Sequence, residues 1–377
     1  MEKKSSNRNL HKASKAKKDE FYTQLVDIEK ELKHYKEQFR DKVVYCNCDD
    51  PFESNFFKYF ASNFNALGLK RLIATSYKPS PIANTELVLQ PSLLPGYKDK
   101  IVSKPSKPKG RPKTTANKFI INEVGDLDND GAFDLRDIAE QLKANKNNEW
   151  SPLKGDGDFR SKESIELLKQ ADIVVTNPPF SLFREYVAQL VEYDKKFLII
   201  GSLNAVTYKE VFRLIKNNKI WLGYNNGAKT YLVPESYEQN NIFVGEDGKK
   251  YSKMGNTGWF TNLDVSKRHE PLTLYKKYNS EEYPEYYNYN AIEVSKVSDI
   301  PMDYNGNMGV PVTFLDKYNP NQFEIIGSSR ELGKPMKEIA DKGTYVQGGP
   351  RFYLENNNKT YRRLFDRLVI KNKKPQK

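Results

Sequence analysis

The stretch DIVVTNPPFSLF, residues 172–183, carries the clearest structural signal in this chain. The β-branched run Ile173–Val175 predicts a buried strand, which ends at the polar Asn177, two prolines and an aromatic residue. A helical pattern of apolar residues follows, and we expect Ser181 to be its N-cap. A strand, a proline corner and a helix in this order predict a βα unit of a parallel α/β sheet.

Strands and helices alternate on both sides of this unit. Further strands are predicted at KVVYC (42–46), LKRLIATSY (69–77) and KFLIIGS (196–202). Helices are predicted at residues 25–39, at SNFFKYFASNF (54–64), at SKESIELLKQA (161–171) and at TYKEVFRLIKNN (207–218). We expect Ser161 to be the N-cap of the third of these helices. This alternation places the chain in the α/β class with a mainly parallel sheet.

The composition is basic and contains no predicted membrane segment. The chain has 377 residues, with 61 lysines and arginines against 49 acidic residues, and a formal charge of +12. This surplus favours a polyanionic partner, although part of it belongs to a basic tail, residues 1–18. No apolar run approaches the ~20 residues that span a bilayer, and the N-terminus lacks the apolar core of a secretion signal. We therefore expect a cytoplasmic protein, in which Cys46 and Cys48 are reduced packing residues.

An insertion of about residues 78–150 separates the second and third predicted strands. Its KPKGRPK motif (107–113) resembles an AT-hook, in which Lys109 and Arg111 would contact the narrow minor groove of A·T-rich DNA. A basic, proline-rich surface loop without DNA contacts is the alternative. The motif would add DNA affinity and carries no catalysis.

Acidic residues in the same insertion have the spacing of a calcium-binding loop, at Asp126, Asp128, Asp130, Gly131, Asp134 and Asp137. The twelfth position is Asp rather than Glu, and the preceding FIINEV pattern predicts extended chain rather than a helix. A structural Ca²⁺ loop at Asp126, Asp128, Asp130 and Asp137 and an acidic turn without metal both stay open. No catalytic metal is predicted.

The proline corner suits the activation of an aromatic amine. In open α/β sheets ligands bind at the carboxyl ends of the strands, where Asn177 is expected to lie. The side-chain oxygen of Asn177 and the carbonyl oxygen of Pro178 can accept both N–H groups of an exocyclic NH₂ group, while Phe180 stacks on its ring. Pro179 stiffens the turn. A capped strand–turn–helix with no catalytic role is the alternative for an isolated NPP tripeptide.

Motifs along nearly the whole chain resemble the EcoRI type of adenine-specific DNA methyltransferase. They are DEFYTQ (19–24), VVYCNCDDP (43–51), SNFFKYFA (54–61), GDGDFRS (155–161), DIVVTNPPFSLF (172–183), YKEVFRLIKNNKIWLG (208–223), TNLDV (261–265) and DYNGNMGVPVTFL (303–315). The resemblance implies a Rossmann-like fold and methyl transfer from S-adenosylmethionine to N6 of an adenine flipped out of a short palindromic duplex site, GAATTC or a relative. It further implies the modification half of a restriction-modification system.

The resemblance also implies cofactor-binding residues. Phe21 and Thr23 of FYTQ would lie over the methionine end of the cofactor, and Ser54 and Asn177 would also bind the cofactor. Asp50 and Pro51 match the acidic-Pro start of the turn after the first strand, where Ser54 and Phe56 occupy positions that hold glycine in the wider superfamily. Asp158 would bind the adenine amine of the cofactor, and Phe159 would pack on its ring.

We expect a basic tail (1–18), a methyltransferase catalytic domain (19–265) and a smaller DNA target-recognition domain (266–377), in a monomer that acts on duplex DNA. Lys267 and Arg268 are the predicted DNA contacts of the last domain. Asn-Pro-Pro corners also occur in RNA and protein-glutamine methyltransferases, so these substrates remain alternatives. A DNA-binding protein without catalysis is a third, because the turn after the first strand lacks its glycines.

Overall fold

A computed structural model of the chain describes residues 22–47, 54–76, 85–90, 100–105, 116–125, 147–233, 241–346 and 349–376. The described residues form two compact units. The first contains residues up to Leu203 together with Asn225–Leu263, and the second contains Asn204–Tyr224 with the residues from Asp264 onwards. The sequence analysis expects one boundary at residue 265, whereas these two units have more than one boundary, since residues 204–224 group with the second unit.

Short extended segments dominate the described secondary structure. In chain order the strands are β1 (Tyr22–Thr23), β2 (Val43–Cys46), β3 (Arg71–Thr75), β4 (Thr85–Gln90), β5 (Lys100–Pro105), β6 (Asn117–Ile121), β7 (Glu149–Pro152), β8 (Ile173–Thr176), β9 (Lys196–Ser202), β10 (Trp221–Leu222), β11 (Lys229–Leu232), β12 (Ile242–Val244), β13 (Lys250–Met254), β14 (Thr257–Thr261), β15 (Ile292–Glu293), β16 (Met308–Pro311), β17 (Phe323–Ser328), β18 (Tyr353–Glu355), β19 (Tyr361–Arg363) and β20 (Arg367–Asn372).

The α-helices of the described residues are α1 (Leu25–Leu32), α2 (Asn55–Ser62), α3 (Phe64–Leu67), α4 (Lys162–Gln170), α5 (Phe183–Glu192), α6 (Lys209–Lys216) and α7 (Ser329–Leu332). Short 3₁₀ helices lie at Lys36–Phe39, Phe180–Leu182, Leu203–Thr207, Ser266–His269, Val297–Asp299, Val312–Lys317 and Met336–Glu338. Ser161 caps α4 as predicted, because its side chain accepts a hydrogen bond from the Ser164 amide. The prediction for Ser181 is wrong, since a 3₁₀ turn precedes α5 and Leu182 is the N-cap residue.

The main sheet of the first unit has the strand order β14-β9-β8-β2-β3-β6-β7. Its four central strands β9, β8, β2 and β3 are parallel, as the alternation of strands and helices predicted. Strands β14, β6 and β7 are antiparallel to their neighbours, so the sheet is mixed. Strands β2 and β8 are buried at every position, because helices cover parallel strands on both faces.

The ends of the predicted insertion belong to this sheet. Strand β6 pairs with β3 and brings Ile121 opposite Leu72, and β7 pairs with β6. The Phe119 and Trp150 rings stack across these two strands with centroids 5.3 Å apart. The sequence between residues 78 and 150 is therefore not a simple surface insertion, because its apolar edges extend the core of the first unit.

Smaller sheets complete the two units. In the first unit, β1, β11, β13 and β12 form an antiparallel sheet, and β4 pairs with β5. In the second unit, β15-β16-β20-β17 form a four-stranded sheet and β18 pairs with β19. Helix α6 packs on β17 within the second unit, which explains why residues 204–224 group there. Among the helices that the structure describes, none is sufficiently long and apolar to span a bilayer.

Candidate active site

The proline corner lies directly at the carboxyl end of β8, as predicted. Asn177 is half-buried with its Oδ1 atom shielded from solvent, and Pro178 is buried. Pro179 has φ −54° and ψ 123°, and its carbonyl oxygen accepts a hydrogen bond from the Leu182 amide at 2.9 Å. The Pro179 carbonyl thus belongs to the 3₁₀ turn that begins at the half-buried Phe180, and the corner is stiff on both sides.

Hydrogen bonds among buried polar residues join the carboxyl ends of three neighbouring strands below this corner. The Thr176 hydroxyl at the end of β8 donates to the Asn47 carbonyl oxygen, although the two residues are 129 positions apart. Thr75 at the end of β3 donates to Asn47 Oδ1 at 3.2 Å and contacts the Tyr45 hydroxyl at 3.0 Å. Because these side chains are almost fully buried, their bonds fix the relative positions of the strand ends.

The sequence analysis missed Asn47, Thr75 and Thr176. A signal was present, since each of three buried strands ends in polar residues, in the segments YCN, IATS and VVTN. Only the pairing of the strands shows that these ends meet. Parallel neighbours in the sheet bring their carboxyl ends to one edge, which is the ligand-binding edge of open α/β sheets.

Thr23 lies beside the start of α2 (Asn55–Ser62). Its backbone oxygen accepts a hydrogen bond from Asn55 Nδ2 at 2.8 Å. Its own hydroxyl oxygen is buried, and no described residue offers that atom a hydrogen-bond partner. Ser54 is the N-cap of α2, since its hydroxyl accepts from the Phe56 amide at 3.1 Å. The predicted site residues Phe21, Asp50 and Pro51 lie outside the described residues.

The GDGDF loop crosses the end of β3 at Gly157. Gly157 has φ +77°, and a Cβ atom there would lie 2.1 Å from the backbone oxygen of Ser76. Ser76 itself is fixed, because its hydroxyl accepts a hydrogen bond from the Asn117 amide at 2.8 Å. Only glycine satisfies both the backbone conformation and this close approach.

Replacing Gly157 with alanine is expected to lower the free energy of unfolding by about 1–3 kcal/mol, through the strained backbone and the clash with rigid backbone at Ser76. Urea denaturation of the full chain measures this loss. Gly155→Ala is the matched control, since no atom lies within 4 Å of the position that its Cβ atom would take, and its effect should stay within about 0.5 kcal/mol. Equal losses in both variants would contradict the assigned contact.

Asp158 is partly exposed and bound by Arg160 of the same loop. Arg160 donates from its amide at 2.8 Å, from Nε at 2.9 Å and from Nη2 at 2.7 Å, and its Nη1 reaches Glu185 at 3.0 Å. Burial acts to raise the pKa of Asp158, but the hydrogen bonds from Arg160 outweigh it and leave the pKa below its usual value. The carboxylate is therefore ionised at neutral pH and retains acceptor capacity for a further N–H donor.

Phe159 occupies a different position from the one predicted. Its ring is only 2% exposed and packs against Tyr186 with centroids 5.0 Å apart, and the Arg160 guanidinium lies 5.2 Å from the ring centroid. The Phe159 carbonyl accepts a hydrogen bond from Gln189 Nε2 at 3.1 Å. Phe159 therefore anchors the loop in the core, and stacking on a ligand ring would require the loop to move.

Lys267 and Arg268, the two basic residues predicted to contact DNA, have partners inside the second unit. Lys267 Nζ bonds Asp316 at 2.8 Å and the Tyr224 carbonyl at 2.9 Å. The guanidinium of Arg268 lies 4.1 Å from the Trp221 ring centroid, and its Nη2 donates to Asn218 at 2.7 Å. These contacts hold the 3₁₀ turn Ser266–His269 in place, and a DNA contact by either residue stays a prediction.

The remaining predicted sites lie outside the described residues: the basic tail 1–18, Lys109 and Arg111 of the AT-hook motif, and the acidic loop with Asp126, Asp128, Asp130 and Asp137. Within the part of the chain that the structure describes, His, Cys, Asp and Glu side chains form no group of three or more suited to hold a metal ion.

Comparison with known proteins gives matches over most or all of this chain. The family described as Adenine-specific methyltransferase EcoRI matches residues 9–373. The chain belongs to this family. The Type II methyltransferase M.EcoRI of Escherichia coli is 45% identical over 383 residues, which cover 100% of both chains. No solved structure gives a significant match.

Two mycoplasma proteins extend this comparison. The Type II methyltransferase M.MgeORF184P of Mycoplasma genitalium is 37% identical over 84% of this chain and 85% of its own length. M.MpnI of Mycoplasma pneumoniae, also a Type II methyltransferase, is 38% identical over 84% of each chain. Membership of the EcoRI family confirms the predicted enzyme class, an adenine-specific DNA methyltransferase, and the mixed α/β sheet fits a methyltransferase fold.

Proposed function

We propose that the chain transfers a methyl group from S-adenosylmethionine to N6 of an adenine in duplex DNA. The observation that carries the proposal is the position of Asn177, half-buried at the carboxyl end of the central strand β8 and followed by a stiff proline corner. The family supports the choice of adenine. The cofactor supplies an electrophilic methyl group on a positively charged sulfur.

Asn177 and Pro178 would hold the amine of the target adenine. The Asn177 side-chain oxygen accepts one N–H bond, and the Pro178 carbonyl accepts the other, because the Pro179 carbonyl is already bonded to Leu182. Two fixed acceptors stabilise the positive charge that develops on the amine nitrogen, and such preorganised dipoles contribute a few kcal/mol, roughly, to barrier lowering. Phe180, half-buried beside them, would pack on the face of the base.

The edge of the sheet offers polar groups that fit the cofactor. The buried hydroxyl of Thr23 would find its missing hydrogen-bond partner there, since a buried hydroxyl without a partner is unfavourable. The ionised Asp158 would accept a bond from the adenine amine of the cofactor, and Gly157 allows the loop to lie against β3. Phe21, Asp50, Pro51, Ser54 and Asn177 complete the proposed set, in which Ser54 also caps α2.

A Rossmann-like catalytic domain would correspond to the first unit, and the second unit would carry target recognition. We propose a short palindromic site, GAATTC or a relative, from which the adenine is flipped, at a cost of a few kcal/mol, roughly, for unstacking. The formal charge of +12 suits this partner. The enzyme would act as a cytoplasmic monomer and as the modification half of a restriction-modification system.

Methyl incorporation tests the substrate directly. Purified protein is incubated with S-adenosylmethionine labelled in its methyl group and with separate pools of duplex DNA, RNA and protein. We expect label in duplex DNA that is recovered as N6-methyladenine. Label recovered only in RNA or in glutamine side chains would overturn the proposed substrate, and DNA binding without any label would leave a binding protein.

A further inference from the structure

Phe365 projects from the surface of the second unit. It lies in the short connection between β19 and β20, within the sequence YRRLFDR, and its side chain is 88% exposed. Arg362 and Arg363, both exposed, precede it in the chain. Single apolar residues are common on protein surfaces, so exposure alone indicates nothing about a partner. The setting of this phenylalanine is more informative.

The neighbours of Phe365 are anchored on both sides. Leu364 is buried in the core cluster of the second unit, and its amide donates to the Phe352 carbonyl at 3.0 Å. The Asp366 carboxylate binds Arg330 through two bonds of 3.0 and 2.8 Å and Arg351 at 3.0 Å. The backbone on both sides of Phe365 is therefore anchored, and the exposed ring projects from it into solvent.

A basic, aromatic pocket lies next to this connection. The pocket has a volume of about 340 Å³, and its lining includes Lys334, Lys337, Arg351, Tyr345 and Tyr353. None of the described residues that line it is acidic. Arg351 lines the pocket and also pairs with Asp366, the residue after Phe365, so the pocket borders the Phe365 connection.

Cations together with exposed aromatic rings match the chemistry of a nucleic acid, which presents phosphates and flat bases. An apolar protein partner would not require the three cations of the pocket. We propose that this surface binds duplex DNA, with Phe365 stacked against a base and the pocket taking backbone phosphate. Other proteins insert apolar side chains between base steps in this way. The inference rests on the proposed function, because it specifies how the second unit holds the same substrate.

Phe365→Ala tests the stacking contact. Base–aromatic stacking is strong enough that its loss should weaken binding of a methylatable duplex by about 10-fold, measured by fluorescence anisotropy. Phe365→Trp, which keeps an aromatic ring, should restore binding. Tyr275→Ala is the matched control, since Tyr275 is 80% exposed in the same unit and does not line the pocket. Equal weakening in Phe365→Ala and Tyr275→Ala would overturn the specific role of Phe365.

Photo-crosslinking gives direct evidence of stacking. Duplex DNA with 5-iodouracil in place of thymine is irradiated with the protein, and the attached peptide is identified by mass spectrometry. We expect attachment at Phe365, and attachment solely at residues outside this surface would contradict the proposal.

Lys334→Ala combined with Lys337→Ala tests the pocket. Each lost phosphate contact should reduce the slope of log Kobs against log salt by about 0.9, so the double variant should lose up to about 2 in slope. Lys216→Ala with Lys219→Ala removes the same charge from exposed positions that do not line the pocket, and should leave the slope unchanged. An unchanged slope in the pocket variant would overturn the phosphate role.

The two proposals fail in different ways. If the unaltered chain neither binds nor methylates duplex DNA, the proposed function is wrong and this inference falls with it. If the unaltered chain methylates DNA while Phe365→Ala and the lysine variant bind as tightly as it does, only the inference is wrong. A second copy of the chain is the remaining possible partner, and sedimentation without DNA measures the oligomeric state. If the unaltered chain is a dimer and Phe365→Ala is a monomer, the surface serves self-association and the assignment to DNA is overturned.

Discussion

Asn177→Ala is expected to lower kcat by about 100- to 1000-fold, the usual loss when one preorganised group at the reacting centre is removed. The variant lacks the oxygen that would accept an N–H bond of the target amine. The backbone of the corner is held by Pro178, Pro179 and the Leu182 amide, so it should keep its shape. Initial rates of labelled methyl transfer at saturating DNA and cofactor measure the effect.

The pattern of kinetic change separates a catalytic role from a structural one. Loss of an interaction made mainly in the transition state lowers kcat and kcat/KM equally, whereas loss of uniform binding raises KM alone. Asn256→Ala is the control, because Asn256 is exposed and its side-chain amide contacts the Ser202 hydroxyl at a long 3.3 Å. A kcat for Asn177→Ala close to that of Asn256→Ala would show that the corner is a structural turn.

The second large effect concerns a buried ion pair in the second unit. The Glu293 carboxylate accepts bonds from Arg367 at 2.7 and 2.9 Å, from Ser295 at 3.1 Å and from the Tyr286 hydroxyl. Glu293 lies on β15, and its side chain is 3% exposed. The pair joins the start of β20 to β15 across 74 residues of chain.

Glu293→Gln is expected to lower the free energy of unfolding by about 3–5 kcal/mol, because it leaves the Arg367 charge buried without its counter-charge. Urea denaturation, followed by circular dichroism and by tyrosine fluorescence, measures the change. A double variant, Glu293→Met with Arg367→Met, should recover much of the loss, since removing both charges also removes the unpaired one.

An exposed pair in the same unit serves as the control. Lys276 and Glu282 are 4.0 Å apart with half-exposed side chains, so Glu282→Gln should cost less than about 1 kcal/mol. If Glu293→Gln lowers the free energy of unfolding by no more than Glu282→Gln does, the Glu293–Arg367 pair does not stabilise the second unit. A double variant no more stable than Glu293→Gln would instead show that packing, not charge, determines the loss.

Local patterns predicted much of the first unit and the position of its site. The run Ile173–Val175 had to be a buried strand, and Asn177 with two prolines had to end it, because hydropathy and the restricted φ of proline act over a few residues. Ser161 was recognisable as an N-cap for the same reason. The parallel centre of the sheet followed from the alternation of strands and helices, and the motifs around Asn177 identified the family.

Local sequence patterns did not predict contacts between residues that are far apart in the chain. The basic residues Lys267 and Arg268 looked available for DNA, but the fold supplies Asp316 and Trp221 as their partners. Phe159 looked like a stacking surface, but Tyr186 and the core cover it. The charge and shape of a side chain limit the partners that it can bind. Only the folded structure shows whether another group of the protein is already that partner.

The sequence by itself determined the enzyme class, the strand–corner–helix unit at Asn177 and the strands at the centre of the sheet. The tertiary structure alone decided that β6 and β7 of the predicted insertion extend the sheet, that Asn47 joins three strand ends, and that Leu364 is buried while the adjacent Phe365 is exposed. The physical reason is the range of the interactions. Backbone propensity and periodicity act within a few residues, whereas strand pairing and burial depend on partners tens to more than a hundred positions away, such as Asn47 and Thr176 at a separation of 129.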